Sequence, residues 1–281
     1  MATGVLVVGV GRATKLLGYV AGDSKTYLAT IRIGVGTDTE DREGTAVETP
    51  GTTLLLGSAE DLRRLSDAMA SLTGDISQVP SAVSAIKVDG KRSYARVRAG
   101  EHIELKPRVV TVSRFVPTGK AREAVSEGVR VVDLDVEVDC SSGTYVRALA
   151  RDLGAALGSA AHLTALRRTR VGDWTVHSAL TLEQLEQVAC DGGSPLIPLA
   201  QAAAEQFPVL LVTQGAQADF AHGKRLALPE ALAEPSEALE GAGPSTIFAL
   251  ATPTAPGEPF GLAKVEGSKL VSVLHLFPGG H

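Results

Sequence analysis

The sequence predicts an α/β (α+β) body built round a mixed, mainly antiparallel sheet, followed by a small C-terminal β domain. Three observations predict this. Residues Val132–Val138 (VDLDVEV) alternate apolar and acidic without a fault, the period of a half-buried strand. Helical stretches with clear caps lie between such strands. After Ala204 the character changes to short strand-like segments broken by turns. We therefore expect residues 1–204 to form the main body and 205–281 a separate β domain.

Along the chain, the apolar run Val5–Val10 reads as a buried strand, followed by a short helix from Ala13 to about Val20. Tyr27–Ile33 (YLATIRI) reads as a strand, and Gly34–Val47 as a polar, solvated loop carrying Asp38 and Asp41. Ser58–Leu72 is a helix: Ser58 and Asp61 make a capping box, Leu62, Leu65, Met69 and Leu72 share a face, and Gly74 stops it. In Val132–Val138, Asp133, Asp135 and Glu137 fall on the face opposite the valines. Paired carboxylates can serve a metal or acid–base chemistry, but outward positions of an amphipathic strand account for them as a solvated sheet face. A helix follows from about Tyr145 to Leu157, closed at Gly158, and Thr181–Ala189 is another capped helix. In the C-terminal part FPVLLV, STIFALAT, FGLAKVEG and LVSVLHLF are strand-like, and the acidic Pro229–Ser245 reads as a mobile loop.

Composition excludes several classes. The 281 residues carry a net charge of −5, 44% hydrophobic and 21% charged residues, an ordinary globular balance. No apolar stretch nears the roughly 20 residues of a membrane helix. The Val5–Val10 run is too short, and lacks the basic flank, for a signal peptide. Two cysteines, Cys140 and Cys190, give no disulfide framework or metal spacing and read as reduced cytosolic thiols. Gly9 and Gly11 match neither a dinucleotide nor a P-loop pattern, the six histidines are scattered, and no Gly-x-Ser-x-Gly elbow occurs.

The charge is unevenly spread. Ile86–Arg114 holds eight basic residues against three acidic, and Thr144–Arg170 five arginines against one aspartate. Basic islands on an acidic protein can focus an anionic ligand onto one face; a solvated surface that happens to cluster is the alternative. Within SSGTYVRALARDLG, Arg147 falls in the first turn of a helix, where the dipole disfavours a cation by about 0.3–1 kcal/mol. A base there makes sense if it points at an anion, although an arginine snorkelling from a surface helix fits too. SAIKVDGKRSYARVRAGE interleaves bases with Tyr94, and ALRRTRVG sets three arginines round Leu166. Tyr27, at the mouth of a strand, is placed either to stack on a base or to fill the core.

Taken together, ATGVLVVGVGRATK, KTYLATIRIGVGTDTEDREG, QVPSAVSAIKVDGKRSYARVRAGE, SSGTYVRALARDLG and HLTALRRTRVG resemble the bacterial TruB family of tRNA pseudouridine synthases, collinearly over roughly residues 2–175. The C-terminal part is similar to the small PUA-type RNA-binding domain of such enzymes. The resemblance implies a pseudouridine-synthase fold in a cytoplasmic, monomeric enzyme that isomerises uridine 55 in the T loop of tRNA, without metal or cofactor. By that resemblance Tyr27 stacks on the flipped base, Arg147 pairs with the catalytic aspartate with Tyr145 beside it, and Leu166 lines the pocket. Lys87, Tyr94 and Arg98, with Arg167 and Arg168, would track RNA. The family's aspartate belongs to a GTLDP-type motif directly before the ATGVL stretch. No Asp-Pro pair occurs in these 281 residues, and Asp23, Asp38 and Asp41 sit in other segments of the pattern. Met1 therefore reads as an internal methionine, and the chain as given as lacking its nucleophile. A tRNA-binding protein without chemistry is the alternative; a subunit of a guide-RNA particle fits the complete tRNA-type body less well.

Overall fold

A computed structural model describes residues 2–20, 24–81 and 105–276, and the backbone of two short strands at 87–88 and 91–92. By contacts the chain divides into residues 1–6 with 22–178, and residues 7–21 with 179–281. The division thus falls at 178/179, whereas the composition changes at 204.

In chain order the strands of the first unit are β1 (Thr3–Gly4), β2 (Lys25–Ile33), β3 (Gly36–Thr37), β4 (Ala46–Glu48), β5 (Gly74–Gln78), β6 (Lys87–Val88), β7 (Lys91–Arg92), β8 (Arg108–Pro117), β9 (Arg122–Ser126), β10 (Val129–Cys140), β11 (Ala161–Val171) and β12 (Trp174–Thr175). Among the described residues two helices, α1 (Ala59–Ser71) and α2 (Val146–Ala156), join them. The main sheet runs β1-β11-β2-β10-β8-β5, with β9 on β10 and β12 on β11. Among the described residues of this sheet only β1 is parallel to its neighbour. The fold is thus the expected mixed, mainly antiparallel one.

The alternation of β10 sets the sheet's two faces. Val132, Leu134, Val136, Val138 and Cys140 are buried, and the last four pack with Ile31 and Ile33 of β2, Leu149 and Leu153 of α2 and Leu65 and Met69 of α1. The opposite face departs from the solvated surface expected. Its acids meet cross-strand partners: Arg32, directly opposite Asp133, grips both its oxygens at 2.8 Å, and the Thr30 hydroxyl binds Asp135 opposite it, while Arg114 and Arg122 reach diagonally to Glu137, at 2.8 Å, and to Asp135. Arg122 above all holds the Asp135 carboxyl below its ordinary range, against the opposing effect of burial. Direct and diagonal cross-strand neighbours thus supply each of these acids with a basic or hydroxyl partner, so the polar face is paired rather than bare.

Three local readings are corrected. Val5–Val10 is not a buried strand: Val5 is buried, but Leu6, Val8 and Val10 are exposed, and pairing ends at Gly4 and Val5. Ser58 caps α1 by accepting the N–H of Asp61, but the Asp61 carboxylate turns back to the N–H of Leu55 and to Arg64, so the box is half closed. Leu62 is exposed; Ala68 takes its place in the buried face with Leu65 and Met69.

In the second unit, α3 (Leu182–Cys190) opens on the complete capping box of Thr181 and Gln184 and is followed by α4 (Leu199–Gln206) and α5 (Gln214–Ala221). Five strands, β13 (Val209–Leu211), β14 (Leu226–Ala227), β15 (Ile247–Ala251), β16 (Gly261–Glu266) and β17 (Lys269–His275), form a sheet in the order β13-β15-β16-β17-β14. Its core holds Leu210, Phe220, Phe248, Leu250 and Leu270. The expected loop 229–245 is tied down at its start: Ala231 is buried, and the Ala233 N–H donates to Leu211. The segment of residues 7–21 is a 3-10 turn (Gly11–Lys15) and one helical turn (Leu17–Val20).

Truncating Leu134 to alanine should remove about 2–5 kcal/mol of stability in urea titration, the range for a buried leucine. Leu62→Ala should stay within about 0.5 kcal/mol. Equal losses at the two positions would contradict this division of core from surface.

Candidate functional site

The candidate residues fall in two groups, one where β2 and β11 run side by side and one at the start of α2. Register sets Tyr27 opposite Arg168 and Ala29 opposite Leu166. Tyr27 and Leu166 are both half-buried against the main core. Burial pushes the Tyr27 hydroxyl's pKa above its ordinary value, while a hydrogen bond with Arg168 works the other way. Nearby in the same core, burial drives the Cys140 thiol up to about 11, a bond with Thr144 partly opposing it. Arg168 also donates from Nε to the carbonyl of Val5 at 2.8 Å. This contact needs β1 very close to β11. At Gly4, with φ 96°, a Cβ would lie 2.0 Å from the Arg168 carbonyl oxygen, so only glycine fits.

Arg147 is the second residue of α2, and the structure gives it an anion. Its Nη1 lies 3.1 Å from Oδ2 of Asp41 and 3.4 Å from the carbonyl of Thr39. Asp41 is only 5% exposed, which overturns the reading of its loop as solvated. The loop folds round this carboxylate: Oδ1 accepts the Thr39 hydroxyl at 2.7 Å and the Glu43 N–H at 3.0 Å. The Asp41 carbonyl accepts the Thr37 hydroxyl at 2.7 Å and the Gly44 N–H at 3.1 Å. Asp38, by contrast, caps the Thr45 N–H at 2.9 Å on the exposed side.

Tyr145 precedes α2 as its N-cap and makes no side-chain cap. Its backbone is clamped by Gln78 at the end of β5: the Tyr145 N–H donates to Oε1 at 2.8 Å, and Nε2 donates to its carbonyl at 3.1 Å. Gln78 is 1% exposed and fixes where the helix starts. At the other end, Gly154 lets α2 lie on the start of β11, for a Cβ there would meet the Ala161 nitrogen at 2.5 Å.

The structure thus gathers Tyr27, Leu166 and Arg168 on neighbouring strands, and Tyr145 and Arg147 at one helix start. Arg167 is exposed on the other face of β11, with Nη1 3.4 Å from the Thr3 hydroxyl. An open hollow of about 490 Å³ there is lined by Arg42, Arg167, Leu28, Thr30, Asp135 and Leu166, among others, and not by Tyr27, Tyr145 or Arg147. Tyr94, Arg98 and the side chain of Lys87 lie outside the described residues. Among the described residues no three His, Cys, Asp or Glu side chains are grouped to hold a metal. Sequence reasoning missed Asp41 as the partner of Arg147, and Gln78 altogether; both contacts span many residues, and no local pattern announces them.

The family model for the TruB family pseudouridylate synthase N-terminal domain matches residues 1–146, more than half of the chain. The chain belongs to the TruB family. The model for the tRNA pseudouridylate synthase B C-terminal domain matches residues 147–194, beginning at Arg147 itself. Among TruB relatives, the chain is 50% identical to the tRNA pseudouridine synthase B of Leifsonia xyli subsp. xyli, over 81% of this chain and 72% of that protein. It is 52% identical to the tRNA pseudouridine synthase B of Cutibacterium acnes, over 80% and 72%. Among solved structures it is similar to a chain of a Cbf5-Nop10-Gar1 complex, with a TM-score of 0.65 and 22% identity, over 99% of this chain and 74% of that one. That likeness shows the fold.

Replacing Gln78 by leucine would leave the backbone N–H and carbonyl of Tyr145 without their partner. The expected loss is about 1–3 kcal/mol in urea titration. An unchanged midpoint would show that the clamp does not hold the helix start.

Proposed function

We propose that this TruB chain is the body of an enzyme that isomerises uridine 55 in the T loop of tRNA to pseudouridine. The observation that carries the reading is the 50% identity to a tRNA pseudouridine synthase B over 81% of the chain. The target uridine must leave the stack at a cost of a few kcal/mol, which contacts with the base and the RNA backbone offset. Tyr27, half-buried beside Arg168, supplies the face on which the flipped base stacks, and Leu166 the apolar wall. Arg147 holds the catalytic aspartate; a guanidinium carries five donors, enough for Asp41 and a second carboxylate together. The aspartate attacks while the uracil is detached, turned and rejoined to the ribose through carbon. Lys87, Tyr94, Arg98, Arg167 and Arg168 follow the RNA, and the small β unit adds PUA-like grip. The protein works as a cytoplasmic monomer on the T-stem loop, with ordinary side chains alone.

A second reading is favoured by one feature: these 281 residues contain no Asp-Pro pair. Alone they then bind tRNA without converting it. The test measures tritium release from tRNA labelled at uridine C5, together with affinity for the RNA. These residues alone should bind a T-stem loop, more weakly as salt rises, and release no tritium above background. With the family's aspartate motif placed ahead of residue 1, release should appear, and Arg147→Ala should cut it at least ~100-fold. Tritium release by these residues alone would contradict the missing nucleophile. Release unaffected by Arg147→Ala would contradict the role of that arginine.

A further inference from the structure

Two arginines one helical turn apart on α2, Arg147 and Arg151, meet two consecutive acids of one loop, Asp41 and Glu40. Neighbouring residues of an extended chain point to opposite sides, so adjacent carboxylates do not ordinarily reach one helix face. Here the backbone at Glu40 is left-handed, with φ 59°, a conformation that residues bearing side chains adopt rarely. The reversal brings both carboxylates onto α2. Glu40 Oε1 lies 2.6 Å from Arg151 Nη1, and the Glu40 carbonyl accepts the N–H of Leu163 on β11 at 3.1 Å.

Arg151 reaches further. Its Nη2 donates to the carbonyl of Val79 at 2.8 Å and its Nε to Asp152 Oδ1 at 2.9 Å. Val79 directly follows Gln78, the residue that clamps Tyr145. One guanidinium therefore ties together the loop that carries Asp41, the helix that carries Arg147, and the strand end that sets where the helix starts. This anchorage is retained at a cost, because Glu40 Oε2 is buried without a hydrogen-bond partner among the described residues. Such a cost, with a left-handed backbone at the same residue, marks a position held by its surroundings for the geometry it gives.

We propose that Glu40 and Arg151 form a positioning pair that sets Arg147 and Asp41 in register for the reaction, without touching the substrate. The inference rests on the reading of Arg147 given above. It is tested in the polypeptide carrying the aspartate motif, by single-turnover conversion of tRNA and by tRNA affinity measured separately. Glu40→Gln and Arg151→Ala should each slow conversion by about tenfold to a hundredfold, with the dissociation constant within about twofold of the parent. Glu40→Gly keeps the left-handed backbone without strain, and so guards against misfolding; it should show the same loss of rate. A parental rate in Glu40→Gln, or a fall in affinity matching the fall in rate, would overturn the proposal. If Arg147→Ala itself converts tRNA at the parental rate, the underlying reading fails, and the positioning role with it. If Arg147→Ala is inactive while Glu40→Gln is not, only the positioning role fails.

Discussion

The contact between Asp41 and Arg147 is the constraint on which the rest of the site depends. A carboxylate buried without compensation costs on the order of several kcal/mol. Asp41 is nearly inaccessible, so its loop can lie against β11 only if its oxygens are met. Thr39 and the Glu43 N–H meet one of them from within the loop; the other needs Arg147, 106 residues away in sequence. The same contact answers an electrostatic puzzle at the helix. A cation in the first turn of α2 opposes the dipole, and a buried anion placed against it outweighs that small penalty. Loop and helix each supply what the other lacks.

Everything else holds the two partners at that distance. The Gln78 clamp fixes the N-cap of α2, and Gly154 lets the helix lie close on the strand that follows. Below them the sheet is a platform with one packed face and one paired face. Each exposed ion pair there contributes little, at most about 1 kcal/mol. The contacts between Arg32 and Asp133 and between Thr30 and Asp135 nonetheless favour the register of β10 on β2, and the separate pairing of β2 with β11 sets Tyr27 beside Arg168 and Leu166 beside Ala29. The strand residues that the TruB resemblance singles out are thus positioned by ordinary sheet pairing.

What could be read in the sequence follows from the range of the interactions concerned. The alternation of β10, the caps at Ser58 and Thr181 and the glycine after α2 are local signals, and the elements they announce are present. The oddity of Arg147 was legible for the same reason, since a cation in a first helical turn breaks a local rule. Its partner was not. Asp41 sits in a run of polar residues that looks like any solvated loop, and only the tertiary fold brings β11 and α2 around it. Val5–Val10 failed in the opposite direction: an apolar run has the composition of a strand, but pairing stops at its first residue and alternate side chains stay exposed. Gln78 and Arg151 act through backbone carbonyls and N–H groups of distant segments, contacts that leave no periodic trace.

Amide hydrogen exchange on the chain with Arg147→Ala tests most directly whether the ion pair builds the site. Without the guanidinium, the Glu43 and Gly44 amides that close on Asp41 should lose their protection. The central amides of β2 and β10 should exchange as before. Unchanged protection at Glu43 and Gly44 would contradict the account, and so would a uniform loss across the sheet, because either outcome would mean that the loop is not held by Arg147.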